Sequence, residues 1–436
     1  MKSSMNMSLP IMVSMLVQSM YNIVDSVFVA RISEDALTAA SIAYSAQMLQ
    51  IAVAVGTGVG MNALVSRRLG AKQFREANEA ATTGLVLSVL SSLLFVLWGV
   101  FGTEAFIRLF SRDESIVAYG TTYLKICQVF ATGIFLGTFT QRLLQSTGRT
   151  FSSMLAQMAG AVANLILDPI MIFGLLGCPA MGIGGAAIAT VIGQWISAVA
   201  GLVLNAVQNK EVHFAFRSFR LRREVVLAIY RVGAPTILTQ AFGSIMIAMM
   251  NKVLIVFSPT AVAFFGVYFK LQNFLFMPLN GLGQGSLPIV GFNYGAGNRD
   301  RIAETYRTAV RIGLGIAAVG VLVFLALPHV LLDLFSASGA MKAMGVPALR
   351  IISIAFLPAS VTMMTGYTLS GLGNGLVNMI STALRQVVVL IPCVLLLGTL
   401  GGIGAVWFAF WIAEACAVAF ALAQKRREFR RKVDTL

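Results

Sequence analysis

Histidine is nearly missing from this 436-residue chain, with His213 and His329 the only two. A histidine metal centre or a histidine-based catalytic relay therefore has almost no material. Cysteine is scarce as well. Cys127, Cys178, Cys393 and Cys416 form no CxxC, and most lie inside apolar runs, where they read as small core residues. Charge is thin, at 11% of residues against 58% hydrophobic. A water-soluble protein cannot hide that much apolar surface, so the class is a polytopic membrane protein. No GxxxxGK[ST], HExxH or GxSxG occurs, which argues against ATP use by a phosphate loop and against an intramembrane enzyme. The GxGxG stretches at 56–60 and 281–285 lack a strand context and a following GK[ST], and read as helix-packing glycines.

What remains is long apolar runs. They are apolar on every face rather than alternating, so the spans are helices and not barrel strands. A span needs about 20 such residues. Twelve are read: 8–30, 37–65, 80–103, 117–146, 151–176, 182–207, 230–257, 261–292, 302–328, 344–371, 376–398 and 403–424. The first has no small-residue cleavage site and is not expected to be a removable signal. The net charge of +15 gathers in short loops. Lys2, Arg67, Arg68, Lys72, Arg75, Arg142, Arg149, the 208–231 stretch, Arg299 to Arg311 and the tail KRREFRRK fall on one side. Little beyond Arg31, Arg108, Arg112 and Lys342 falls on the other. This asymmetry predicts both termini in the cytoplasm, and topology rather than nucleic-acid binding.

The chain repeats itself. At an offset of 225, Pro10 meets Pro235, Gln47 meets Gln272, Gly56, Gly58 and Gly60 meet Gly281, Gly283 and Gly285, and Gly148 meets Gly373. At 220, Gly182-Ile183-Gly184 meets Gly402-Ile403-Gly404. The expected fold is all-α, with twelve spans in two six-helix lobes: an N-lobe over 1–207, a basic linker over 208–229, a C-lobe over 230–424 and a basic tail over 425–436. Six spans per half make the repeats parallel, related by a pseudo-two-fold along the membrane normal, as in alternating-access carriers. A channel is the weaker reading, because no selectivity-filter motif occurs.

Intramembrane acids are costly and mark function by default. Asp25 lies in the first span, with Gln18, Tyr21 and Asn22 on the same helix face. Asn164 and Asp168 share a face of the fifth span, beside the kink-forming Pro169. Asp25 lies 17 residues after Ser8 and Asp168 17 after Phe151, so both sit roughly 25 Å into the membrane. Two carboxyls at one depth can share protons or hold a cation; a structural hydrogen-bonded pair is the alternative. At the repeat offset, Gln18, Tyr21, Asn22 and Asp25 become Gly243, Met246, Ile247 and Met250, while Asn164 and Asp168 become Val389 and Cys393. Ion coupling is therefore expected in the first half. In the second, Lys252 and Lys270 either snorkel or pair with Glu414. Gln18, Tyr21, Asn22, Gln47, Gln272, Lys252, Lys270 and Glu414 are the polar candidates for a substrate cavity. Some of the 21 methionines and 29 phenylalanines would complete its apolar walls.

The stretches SLPIMVSMLVQSMYNIVDSVFVA, GVGMNALVSRRLGAK, NLILDPIMIFG, GIGGAAIATVIGQ and VGAPTILTQ together resemble the MATE family, the multidrug and toxic compound extrusion transporters, over essentially the whole chain. The resemblance implies drug export driven by inward proton or sodium flow. It matches Asp25, Asn164 and Asp168 to the acidic N-lobe cation site of one branch, with Thr190 as a further member. Another branch places acids in the seventh and tenth spans. Here those spans carry Asn251 and Lys252 but no acid.

The sequence thus reads as a plasma-membrane antiporter of lipophilic, cationic compounds, functional as a monomer. It uses no cofactor beyond the coupling proton or sodium. If sodium couples, Asp25, Asn164 and Asp168 are its ligands. A flippase for a lipid-linked precursor is the rival, kept open by Lys252 and Lys270.

Overall fold

The computed structural model describes residues 2–436, with side chains from Asn6 onward. The first half consists of α1 (Lys2–Ala30), α2 (Glu34–Gly70), α3 (Phe74–Phe101), α4 (Glu114–Val129 and Thr132–Ser146), α5 (Thr150–Phe173) and α6 (Ile183–Gln208). The second consists of α7 (Arg223–Leu254), α8 (Pro259–Gly295), α9 (Arg299–Ala326), α10 (Gly339–Ser353 and Phe356–Gly371), α11 (Leu376–Val406) and α12 (Ala409–Glu428). No strand occurs among the described residues. Nine of these helices are each long and apolar enough to cross a membrane, and the bent pairs α4 and α10 raise the number among the described residues to eleven. The twelfth, α12, is 20 residues long and ends in Lys425, Arg426 and Arg427.

The internal repeat is exact in geometry. Adding 225 to Glu34–Gly70 gives Pro259–Gly295, and to Phe74–Phe101 gives Arg299–Ala326. The short helix Thr103–Arg108 likewise becomes Pro328–Asp333. Ser33 and Ser258 cap α2 and α8 in the same way, each hydroxyl accepting from the amide three residues on, at 3.0 and 3.1 Å. Such a cap stabilises a helix by about 1 kcal/mol. The breaks in α4 and α10 bend the chain by 49° and 47°. Between spans eleven and twelve the sequence suggests a loop at 399–402. Instead α11 stays helical to Val406, interrupted only at Gly402, where φ is 68°. Its counterpart Gly182, with φ 56°, precedes α6, so the left-handed residue marks the same joint twice.

The chain forms two compact units. One comprises residues up to Met12 together with Pro235–Leu436, and the other Val13–Ala234. The division falls inside α1 and inside α7, rather than in the 208–229 stretch where the sequence places it. Helix contacts explain this. In the Val13–Ala234 unit, a Cβ added to Gly60 would lie 2.1 Å from the carbonyl oxygen of Ile229, near the start of α7. In the other unit, a Cβ on Gly285 would lie 2.4 Å from the hydroxyl of Ser8, near the start of α1, and one on Gly281 2.7 Å from Met12 Cα. The GxGxG stretches are the surfaces on which each half's opening helix lies against backbone.

The segments after α6 and α12 are docked as well. The amide of His213 donates to Asn78 at 2.8 Å, that of Ala215 to Thr82 at 3.0 Å, and Arg149 pairs with Glu211 at 3.0 Å. Val212 is buried, with Phe214 packed beside Phe139. In the other unit Phe429 and Val433 are buried against Val290 and Leu369, Lys432 donates to the Leu372 carbonyl at 3.1 Å, and Arg299 pairs with Asp434 at 3.0 Å.

The close approach at Gly60 predicts that Gly60→Ala destabilises the protein by about 1–3 kcal/mol. Gly315, also helical but facing open space, should tolerate Gly315→Ala or gain up to about 1 kcal/mol. Thermal unfolding in detergent checks both; equal melting temperatures would contradict the assignment of Gly60 to a backbone contact.

Candidate functional site

The site is assembled by α1, α2, α4, α5 and α6, all within the Val13–Ala234 unit. Its precision begins with glycine. A Cβ on Gly160 of α5 would lie 2.4 Å from the Gly193 carbonyl of α6. One on Gly193 would lie 2.7 Å from the Gly160 carbonyl and 3.0 Å from Asn164 Cβ. Only hydrogen at both positions permits this approach. It sets Asn164, one turn beyond Gly160, against α6, with Thr190 three residues before Gly193. Pro169 follows Asp168 inside α5, so the Leu165 carbonyl has no amide to accept from there.

Asn164 and Asp168 are buried, at 3% and 0% exposure, and Thr190 and Gln47 at 8% and 7%. The carboxyls of Asp25 and Asp168 face one another. No hydrogen bond of ordinary geometry reaches Asp25 Oδ1, Asn164 Oδ1 or either Asp168 oxygen. Four buried acceptor oxygens without a donor are costly, since each gave up a water partner on folding. The chemistry they ask for is a proton, which makes one carboxyl a donor, or a cation that all four oxygens can ligate. Among the described residues, no group of three or more His, Cys, Asp or Glu side chains could hold a metal ion. The donor set of Asp25, Asn164 and Asp168 is hard oxygen.

Tyr21 lies beside Asp25 and Asp168, with Tyr44 and Cys127 near it. Gln157 donates its amide to Gln18. Tyr123 is buried between Cys127, Asp25, Tyr21 and the Thr190 hydroxyl, and Gln47 faces Cys127. Thr190 itself donates to the Ala186 carbonyl at 3.0 Å. The structure thus brings together Asp25, Asp168, Asn164, Thr190, Tyr21 and Gln47, with Gln18 joined to Gln157. Asn22 is half-buried, and its carbonyl accepts from Ser26 at 2.9 Å.

The second-half candidates belong to the other unit. Gln272 is half-buried, whereas Lys252 and Lys270 are exposed, and Lys270 lies 6.0 Å from the Phe335 ring. Glu414 pairs with neither lysine. Its partner is Arg385, at 2.9 Å. The positions equivalent to Tyr21 and Asp25, Met246 and Met250, are buried in the apolar core. Sequence reading missed Tyr123, Cys127, Tyr44, Gln157 and Arg385. A signal existed for two of them: Tyr123 and Cys127 stand four apart on one face of the fourth span.

The family model described as MatE matches residues 10–170 and, again, 235–395. The two matches differ by 225 at both ends, the same offset as the helices. The chain belongs to the MatE family. That is a family of transporters, not of enzymes. It is 24% identical to multidrug export protein MepA of Staphylococcus saprophyticus over 424 residues, covering 97% of this chain and 92% of that one. To MepA of Staphylococcus aureus it is 25% identical over 439 residues, covering 100% and 95%. Its structure superposes with a TM-score of 0.93 on an outward-facing multidrug resistance MATE transporter, at 25% identity and 100% and 97% coverage. A transporter of the same superfamily from Pyrococcus furiosus, described as having reversed binding-pocket polarity, gives 0.91 at 26% identity, with 98% and 96% coverage. The architecture is the two-lobe, twelve-helix fold of MATE transporters.

The unpartnered oxygens make a stability prediction. Asp168→Asn supplies an amide donor where none exists, so it should raise the melting temperature in detergent at neutral pH, by about 1 kcal/mol equivalent. A fall would mean that the acid pair is already satisfied.

Proposed function

We propose that this chain is a secondary multidrug exporter of the plasma membrane, moving lipophilic cationic compounds outward in exchange for protons or sodium. The observation that carries the reading is the meeting of the Asp25 and Asp168 carboxyls beside buried Asn164. The MepA relatives, named as multidrug export proteins, support the direction and breadth of transport. The charge asymmetry supports cytoplasmic termini and a cytoplasmic 208–222 segment.

The coupling works through differential affinity. With both carboxylates ionised, like charges oppose one another in a low-dielectric setting and a cationic substrate is attracted. Taking up a proton or sodium at Asp25 and Asp168 cancels that charge. It draws α1 toward α5, and removes the attraction for the substrate in the N-lobe. The two ligands thereby favour different states of α1, which is all that exchange requires. Tyr21, Tyr123 and Thr190 position the acids, and Gln18 with Gln157 extends the polar lining. Alternating access then follows from the two-lobe architecture, with one chain as the working unit.

The flippase reading is not favoured: the relatives are named as multidrug export proteins, and Lys270 lies 6.0 Å from the Phe335 ring.

Ethidium efflux from proteoliposomes, under an imposed pH gradient or an imposed sodium gradient, tests the proposal. Wild-type protein should respond to one of the two. Asp25→Asn should lose at least about tenfold in gradient-driven rate, the effect of removing about 1.4 kcal/mol of coupling. Full efflux by Asp25→Asn would sink the mechanism.

A further inference from the structure

The C-lobe unit holds a second buried ionic site that differs in kind. Arg385 and Glu414 are 8% and 6% exposed, and the Arg385 Nε–H donates to Glu414 Oε1 at 2.9 Å. The other carboxylate oxygen, Oε2, is buried without a hydrogen-bond partner. So is the hydroxyl of Tyr268, a fully buried residue of α8 within electrostatic reach of both charges. The Phe276 ring lies 5.4 Å below the guanidinium, and Phe410 packs edge-on against Tyr268. Fully buried Phe264, Phe265 and Trp407 pack close by.

A buried ion pair with a single hydrogen bond does not recover its desolvation cost, and apolar side chains of similar size would be as stable or more so. The backbone under Arg385 is unusual too. Leu384–Val388 forms a π-helical turn, with the Val389 amide reaching back five residues to the Leu384 carbonyl at 3.1 Å. Such bulges mark functional positions, because the extra residue lets the side chains around it shift register.

Glu414 faces Arg385 from α11 and Tyr268 from α8. On its own helix, Cys416 is exposed. From α10, Arg350 is turned away to the Leu325 carbonyl, and Lys342 pairs with Asp333. The surroundings are close-packed side chains, so the ligand that can reach Oε2 is the smallest one.

We propose that Glu414 is a second proton-binding group, and that its protonation turns the neutral Arg385–Glu414 pair into a net positive charge in the C-lobe. The proton adds to the carboxylate at Oε2, beside the Tyr268 oxygen, and no covalent bond breaks. Arg385 loses its counter-ion and swings on the π-helical turn. The uncompensated guanidinium then repels a cation held within the C-lobe unit. This deepens the exporter reading and rests on it for the substrate's charge. It adds a step that acts by repulsion in the C-lobe, whereas the Asp25–Asp168 site acts by withdrawn attraction in the N-lobe.

The test uses the full chain with the first site silenced by Asp25→Asn and Asp168→Asn. Acid-minus-alkaline infrared difference spectra should show the carbonyl stretch of a protonated, buried carboxylic acid that disappears on adding Glu414→Gln. If Glu414→Gln fails to fold, Glu414→Asp keeps an acid and should shift the band instead. In the same background, where the N-lobe acids no longer attract a cation, acidification should weaken the remaining tetraphenylphosphonium binding on the order of tenfold, the effect of one uncompensated charge in a low-dielectric setting. Glu414→Gln should bind at the acidic level at every pH, and adding Arg385→Gln should restore affinity. A spectrum without a Glu414-dependent band overturns the proposal while leaving the exporter reading intact. A band accompanied by pH-independent binding of the cation overturns the repulsion step. Loss of ethidium efflux in the wild type would instead count against the exporter reading.

Discussion

The backbone contact between α5 and α6 at Gly160 and Gly193 underlies the rest of the N-lobe. Two helices in a membrane gain no hydrophobic stabilisation from meeting, so they associate where small residues let their surfaces interlock. Here that contact has a chemical product. It holds Asn164 and Asp168 against α6 at fixed depth, leaving α1 as the element that brings Asp25 to them. The α5–α6 pair presents Asn164 and Asp168, and α1 presents Asp25. Such division of labour suits a site that must discriminate between two states rather than simply hold an ion.

The second half uses the same positions differently. At the repeat offsets of 225 and 220, Gly160 corresponds to Arg385, and Gly193 to Ala413, the neighbour of Glu414. Where the first half brings two backbones together, the second inserts a guanidinium and a carboxylate and relaxes α11 by a π-helical turn to make room. Meanwhile the place of Asp25 is taken by Met250, deep in an apolar core. Each half therefore carries a buried acidic centre, at different positions of the repeat. Polar groups are retained in both despite their cost, which is consistent with a role beyond stability.

Much of this was legible before any coordinates. The spans, the repeat and the acid pair follow from run length, constant offset and the expense of a carboxylate in hydrocarbon. Tyr21 lies beside the acid pair, where helical spacing places it. What escaped was whatever depended on neighbours from other helices. Tyr123 and Cys127 look like ordinary core residues until α4 is set beside α1. Arg385 sits well inside the run read as the eleventh span, and nothing local links it to Glu414 29 residues on. The lysines are more conspicuous, yet both side chains are exposed and neither pairs with Glu414. The boundary between units was hidden for a similar reason: a basic stretch looks like a linker, whereas the true division depends on which glycines a helix start lies against.

That division bears on how such a chain could arise. The segment up to Met12 belongs with the second half, and the chain up to Ala234 with the first. The exchange is reciprocal, made on the same pair of glycines each time. A six-helix ancestor with this arrangement would have been incomplete as a single copy and whole as a two-fold dimer, each copy lending its opening turns to the other. A single fused chain can carry acids in one half and an ion pair in the other, as no symmetric dimer could.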